Sequence, residues 1–458
     1  MSVLFAAAEM APVARVGGLA EASAGLIGGL RSSGHTVEVA LPDYGGVLLD
    51  NEVLSALDVP DWVGSARVRS GDHPDAGRVS LISTPGMERP HPYVDGAGEP
   101  WPDNEARFMG FSAAVAALSD RDEPDVLHLN DWHTAAATAL MERSVPTVLT
   151  VHTLGYQGVM EALWLDRLPR EQARFKWYGG MNPLAGGIQL ADLVSTVSPN
   201  YAREIVHPDQ GMGLDRLLAS RGDALIGIRN GIDTSEWNPA VDTRIAARYR
   251  PDDLSGREAC RRALLGEIGW EDTREPLIGV VSRLVHQKGI DLLIEAARFL
   301  ADLPARLVVL GSGEPGLAAG LREAAASQPD RIWFFDGYDV GLAHRIFAGA
   351  DLLAMPSRFE PCGLAQMQAM AYGTIPVVTP VGGLVDTVLD ADDTRKGNGI
   401  VARGRDTAAV VDALHRGVRA VRHARRKRAI QKRGMSVDWS WELPAASYAA
   451  LYARLTTS

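Results

Sequence analysis

Apolar and polar positions along this chain alternate between two textures. Short apolar runs bounded by Gly, Pro, Asn or Asp read as buried strands at residues 3–8, 36–41, 79–83, 126–129, 147–151 and 193–197. Longer segments with apolar residues at helical spacing lie between them, such as 19–32 and 104–118. A second series follows Pro276, with apolar runs at 277–281, 305–310, 332–335, 352–355 and 375–379. Short apolar strands between amphipathic helices predict parallel sheets built by right-handed crossovers. Two such series predict an α/β protein of two Rossmann-like domains. The boundary is expected within 237–275, where Pro239, Pro251, Gly256 and Pro276 punctuate polar helices. The expected spans are 1–240 and 241–435, with 436–458 forming an aromatic-rich helix that braces the first domain.

Composition narrows the class. A chain of 458 residues exceeds one ordinary core, which agrees with two domains. Hydrophobic residues at 46% and charged residues at 22% fit a soluble globular protein. A net charge of −11 disfavours nucleic acid as a partner. Two distant cysteines, Cys260 and Cys362, make neither a disulfide framework nor a zinc pattern and suit the cytoplasm. The start of the chain is apolar but lacks a basic lead and carries Glu9, so it reads as a strand and not as a signal peptide. No run is long and apolar enough for a membrane span. The basic stretch 416–433 offers a polyanion site or a solvated helix face, and the second is the usual outcome for such runs.

Candidate chemistry sits where strands end. Ser357-Arg358-Phe359-Glu360-Pro361-Cys362-Gly363-Leu364 follows one strand and precedes a helix. An α/β sheet presents ligands outside the carboxyl ends of its strands. Glu360 there can accept from backbone N–H groups or from ligand hydroxyls. Arg283 and Lys288 project from the loop after the first strand of the second series, two cations beside a helix start that suit a diphosphate. Gly311-Ser312-Gly313-Glu314-Pro315 is a further ligand-facing turn. Gly17-Gly18 and Gly382-Gly383 each open a helix, where paired glycines allow close backbone approach and leave N–H groups for an anion. In the first series, His128-Leu129-Asn130-Asp131-Trp132-His133 ends one strand and His152 the next, and His152 is expected to donate to a sugar hydroxyl or a transferring group. No Ser-His-Asp set, HExxH or metal-spaced acidic pair occurs, so a mechanism without metal or cofactor is expected.

These residues, with Glu9-Met10-Ala11-Pro12, Thr196-Val197-Ser198-Pro199, Asn230-Gly231-Ile232-Asp233 and Trp237-Asn238-Pro239, make the chain similar to bacterial glycogen synthases and plant starch synthases. The resemblance covers nearly the whole chain. It implies a retaining glycosyltransferase of GT-B fold, with two Rossmann-like domains whose parallel sheets face across a cleft. It implies a nucleotide diphosphate sugar as donor, ADP-glucose by resemblance, and an α-glucan or small oligosaccharide as acceptor, with neither nucleic acid nor membrane as partner. Arg283, Lys288, His152, Glu360 and Asp131 would be the catalytic set. Arg15, Gly17, Gly18, Ser282, Gly313, Tyr338, Cys362, Gly363, Leu364, Gly382 and Gly383 would bind the nucleotide sugar. Asp131, Trp132, Tyr156 and Gln157 would face the acceptor. The family's usual proposal is same-face attack through an oxocarbenium-like state.

Departures from the family pattern bear on substrate. Arg15 stands where the family has Lys, Ala185 where it usually has Lys, and Ala8 where Ser is usual. Arg is forked and bulkier than Lys at a close phosphate contact. They motivate a second expectation: a specialised (pseudo-)glycosyltransferase joining an activated sugar or cyclitol to a small amino-sugar or oligosaccharide, as in acarbose-type aminocyclitol pathways.

Overall fold

The structure is a computed structural model that describes residues 1–297 and 303–457. The chain divides into two compact units: Met1–Gly231 with Trp441–Ser458, and Ile232–Ser440.

The first unit is built on a nine-stranded sheet. Its order is Leu225–Gly227, Leu193–Thr196, Thr147–Val151, Val126–Asn130, Ser2–Ala6, Thr36–Pro42, Gly77–Ser83, Ala66–His73, Asp50–Leu57. The first seven are parallel neighbours, and the last two turn antiparallel. The all-parallel expectation is therefore corrected for this unit. Asp50–Leu57 is almost wholly exposed, and its apolar residues Val53, Leu54, Ala56 and Leu57 are broken up by polar ones, so it carries no continuous apolar run to read. Ala66–His73 does alternate, but with Arg67 and Arg69 among its outward positions. Charged, exposed residues are normal on a sheet's edge.

Period-two alternation fills both sides of this sheet. Leu4 and Ala6 join one buried cluster, while Val3 and Phe5 join the other. The second cluster also takes Leu26, Ile27 and Leu30 from the helix Gly18–Ser32, and Trp441, Ala445, Tyr448 and Tyr452 from the end of the chain. The helix Glu442–Thr456 thus packs on the first unit's helix. Gly25 and Gly29 make the groove: a Cβ on Gly25 would lie 1.9 Å from the Trp441 indole, and one on Gly29 2.6 Å from Ala445 Cβ. Below them a buried polar chain joins helix to sheet. His128 Nδ1 lies 2.6 Å from Tyr452 Oη and His128 Nε2 2.6 Å from Thr150 Oγ1, which in turn lies 2.6 Å from Ser195 Oγ.

The second unit has six parallel strands in the order Ile332–Asp336, Arg306–Gly311, Leu277–Val281, Leu352–Met355, Ile375–Val378, Ile400–Val401. Its entry falls at Ile232 and not at 241. Residues 232–242 are tied into it: Trp237 stacks on His344 at 4.0 Å, and Asp242 Oδ2 accepts from Tyr372 Oη at 2.6 Å and lies 2.8 Å from His344 Nδ1. Ile232 N–H donates to the Trp439 carbonyl at 2.8 Å, so the return also falls later, at Ser440.

The basic stretch is partly pinned. Arg416 is buried and pairs with Asp390, Asp392 and Asp412; Arg426 pairs with Asp392 and Lys427 with Asp351. Arg419, Arg422, Arg425 and Lys432 remain exposed.

Candidate functional site

Each parallel sheet has one place where strand order reverses, and ligands of α/β folds bind outside the strand ends there. In the first unit the reversal lies between Ser2–Ala6 and Val126–Asn130. The residues leaving those strands include Glu9 and Asp131. In the second unit it lies between Leu277–Val281 and Leu352–Met355, whose following loops carry Ser282, Arg283 and Lys288, and Ser357 to Leu364.

In the second unit these loops enclose a pocket of about 160 Å³, lined among others by Ser282, Arg283, Lys288, Pro356, Gly363 and Leu364. Lys288 Nζ donates to Glu360 Oε2 at 2.6 Å, and Ser357 Oγ donates to the same oxygen at 3.1 Å. Glu360 is 4% exposed. A buried carboxylate needs a cation and donors around it, and Lys288 with Ser357 supplies both. One ammonium hydrogen is used by Glu360, so two remain for anion oxygens. Arg283 is exposed and makes no ion pair among the described residues. Arg358 is not offered to a ligand: it grips Asp291 with two bonds, at 2.7 and 2.6 Å.

The Gly382-Gly383 turn supports this loop from behind. Gly382 has φ 44°, and a Cβ there would meet the Glu360 carbonyl oxygen at 1.9 Å. Gly383 N–H donates to that oxygen at 3.0 Å, so this amide is occupied and not free for an anion. Cys362 is buried, and Gln366 Nε2 donates to its carbonyl at 3.0 Å. Gly313 lies in an exposed turn zipped to the Arg283 loop, with Leu284 N–H donating to Ser312 O at 2.8 Å and Glu314 N–H to Leu284 O at 2.7 Å. Tyr338 is 77% exposed beyond the strand Ile332–Asp336.

In the first unit Asp131 sits at φ 54° and its Oδ1 accepts from His152 N–H at 2.7 Å. Burial pushes its carboxyl up to about 7, against the pull of the His152 and Thr153 amides. Burial lowers the His152 imidazole to about 3, so the ring is neutral. His152 Nε2 lies 2.9 Å from Asn130 Oδ1. Glu9, buried at the reversal point, accepts from Val16 N–H at 2.7 Å, Gly17 N–H at 2.9 Å and Tyr93 Oη at 2.6 Å. Gly17's amide is therefore also occupied, while no atom lies within 4 Å of a Cβ placed on Gly17 or Gly18. Arg15 pairs with Glu21 at 2.7 Å. Trp132 packs edge-on to Phe108 at 5.1 Å. Gln157 spends its amide on the loop, accepting from Asn182 Nδ2 at 2.8 Å and donating to Met212 O at 3.0 Å, whereas Tyr156 stays exposed.

Sequence motifs alone assign no role to the side chains of Glu9, Asn130, Tyr93 or Ser357. For Glu9 and Asn130 a signal exists, since each lies at or just past the end of an apolar run. Among the described residues no group of three His, Cys, Asp or Glu side chains converges as a metal site, and no helix is long and apolar enough to cross a membrane.

Comparison with known proteins agrees over the full length. Residues 2–220 match the starch synthase catalytic domain and residues 275–419 match glycosyl transferases group 1. Glycogen synthase of Acidiphilium cryptum (strain JF-5) is 40% identical over 484 residues, covering 100% of each chain. That of Alkalilimnicola ehrlichii (strain ATCC BAA-1101 / DSM 17681 / MLHE-1) is 42% identical over 492 residues, covering 99% of this chain and 98% of the relative. Among solved structures, the catalytic domain of starch synthase IV from Arabidopsis thaliana, bound to ADP and acarbose, superposes with a TM-score of 0.88 at 33% identity, covering 100% of this chain and 99% of that one. Sucrose-phosphate synthase from Thermosynechococcus elongatus, at 0.65 and 20% identity, shares the fold. Identity of 40–42% over at least 98% of each chain, with a starch synthase catalytic domain match over residues 2–220, shows that this chain belongs to the glycogen synthase and starch synthase family of GT-B glycosyltransferases.

Proposed function

We propose that the chain extends an α-glucan by moving a glucosyl group from ADP-glucose to the 4-hydroxyl at the glucan's non-reducing end, with retention at the anomeric carbon. The observation that carries this is the Lys288–Glu360 pair seated beside Arg283 at the strand-order reversal of the second unit. In this reading the bond between the anomeric carbon and the diphosphate oxygen breaks, and its electron pair leaves on the nucleotide. Arg283 and Lys288 stabilise the charge gathering on the departing diphosphate. Glu360, anchored by Lys288 and Ser357, accepts from hydroxyls of the donor sugar. The acceptor oxygen bonds to the anomeric carbon from the face the diphosphate leaves, and its proton passes to a phosphate oxygen. Asp131 and His152 belong to the sugar-facing end of the first unit. A relative solved with ADP and acarbose supports a nucleotide and a saccharide as ligands of this fold. Two buried free thiols support a cytoplasmic setting.

Incubation with ADP-glucose and maltooligosaccharides tests the reading. The expected result is stepwise lengthening by one glucose, with an α-linkage seen by NMR. Absence of lengthening on every glucan would overturn it.

A second reading is favoured by two positions. Ala185 is 1% exposed inside the first unit's core, so the cation usual in the family is replaced here by a buried methyl. Arg15 is likewise engaged with Glu21. Both changes fit a specialised member that joins a nucleotide-activated sugar or cyclitol to a small amino-sugar or oligosaccharide. A donor screen over ADP-, GDP-, UDP- and dTDP-linked sugars, paired with amino-sugar acceptors, separates the two. Product only with small acceptors would favour the second.

A further inference from the structure

We propose that Asn130 is a positioning residue that fixes the proton of His152 on Nε2, which makes His152 Nδ1 a hydrogen-bond acceptor reserved for a hydroxyl of the substrate. The proposal rests on the reading that His152 faces the sugar.

Hydrogen-bond polarity assigns the proton. Asn130 closes the strand Val126–Asn130 and is 1% exposed. Its Nδ2 lies 3.0 Å from the Ala6 carbonyl oxygen. A carbonyl only accepts, so that end of the amide must be the NH2 group. The other end, Oδ1, therefore faces the His152 ring, 2.9 Å from Nε2. Oδ1 also only accepts, so Nε2 must bring the proton. The backbone on both sides is tied down. Asn130 N–H donates to Thr134 Oγ1 at 2.8 Å, Thr134 Oγ1 donates to Asn130 O at 2.9 Å, and His152 N–H donates to Asp131 Oδ1 at 2.7 Å.

A neutral imidazole with its proton on Nε2 carries a lone pair on Nδ1. The atom that meets Nδ1 must then supply a hydrogen, as a sugar hydroxyl does and an ether oxygen or fluorine does not. The proposed tautomer has His152 accept from a hydroxyl, where the sequence led to the expectation that it donates to a sugar hydroxyl or a transferring group. It also removes His152 as the acid that protonates the departing group. Burial of the ring, which holds it neutral, acts in the same direction.

Long-range proton–nitrogen NMR of the full chain, with nitrogen-labelled histidine and His152→Gln to identify the signal, reads the tautomer directly. The expected result is a single Nε2-protonated form in the neutral range. A proton on Nδ1, or averaging between the two, overturns the proposal, and the tautomer itself is read on the parent chain, the variant serving only to assign the signal. A second arm uses Asn130→Asp. The new carboxylate draws a second proton onto the ring and turns Nδ1 into a donor. Asp131, His128 and His133 are the titratable neighbours that set the background for this change. Turnover of Asn130→Asp is expected to fall on the order of tenfold at low pH and to recover as pH rises and the ring returns to neutrality. A folded Asn130→Asp with the parent's pH profile would count against the proposal. If glucan lengthening is absent while the Nε2 tautomer is found, the functional reading fails and the tautomer assignment stands. Lengthening together with a Nδ1 tautomer overturns the assignment and leaves the functional reading intact.

Discussion

At the scale of single residues, burial favours the neutral form of one carboxyl and three imidazoles in the first unit, and the two kinds of group bend stability in opposite directions with pH. Asp131 is raised from 3.8 to about 7, so the folded chain keeps a proton that the unfolded chain has released between those values. Its contribution to stability is full below the lower value and is lost as pH rises through the upper one. His128, His133 and His152 are each lowered from 6.5 to about 3, again by burial. Their contribution is full above 6.5 and is lost as pH falls toward 3. Each group bends the stability curve by at most about 1.4 kcal/mol per pH unit. Three imidazoles outweigh one carboxyl, so these four groups together make the fold acid-labile. Asp131→Asn removes the opposing slope. Its urea midpoint should therefore drop more steeply than the parent's between pH 6.5 and 4, and equal slopes would refute the assignment of this raised carboxyl.

At the scale of elements, two loops and one turn hold Arg283, Lys288 and Glu360. Gly382→Ala would put a methyl on the Glu360 carbonyl, at a positive φ that suits glycine. Overpacking and strain of this kind cost roughly 1–3 kcal/mol. The expected outcome is a lowered melting temperature together with weakened binding of ADP by calorimetry, because the displaced segment carries Glu360. Retained affinity would separate the turn from the site. This is also the scale at which sequence legibility divides. Arg283, Lys288 and Glu360 are readable because each sits in a polar turn directly after an apolar run. The partners of Glu9 and Asn130 are not, because they are set by which strands lie side by side. Ala6 meets Asn130 only because Ser2–Ala6 pairs with Val126–Asn130, and residue patterning does not give that order. The exposed strand Asp50–Leu57 escapes for a different reason, since its apolar residues form neither a continuous run nor a clean alternation.

At the scale of the whole molecule, the first unit is assembled from two distant stretches of chain. The aromatic helix Glu442–Thr456 sits on glycines 25 and 29 and ties Tyr452 to His128. A leucine at Gly25 would displace the Trp441 indole, and a cost of about 2–3 kcal/mol is expected from overpacking. Differential scanning calorimetry should show the transition of the first unit moving down while that of the second holds. A uniform shift of both would mean the two units unfold as one. The same topology has a consequence during synthesis. The ribosome delivers the strands of the first unit early, then all of the second unit, and only afterwards the helix that covers Gly25 and Gly29. Until it emerges, Leu26, Ile27 and Leu30 lack part of their cover. The nascent protein thus carries a sticky, half-finished lobe through most of its translation, and holdase chaperones should engage it there.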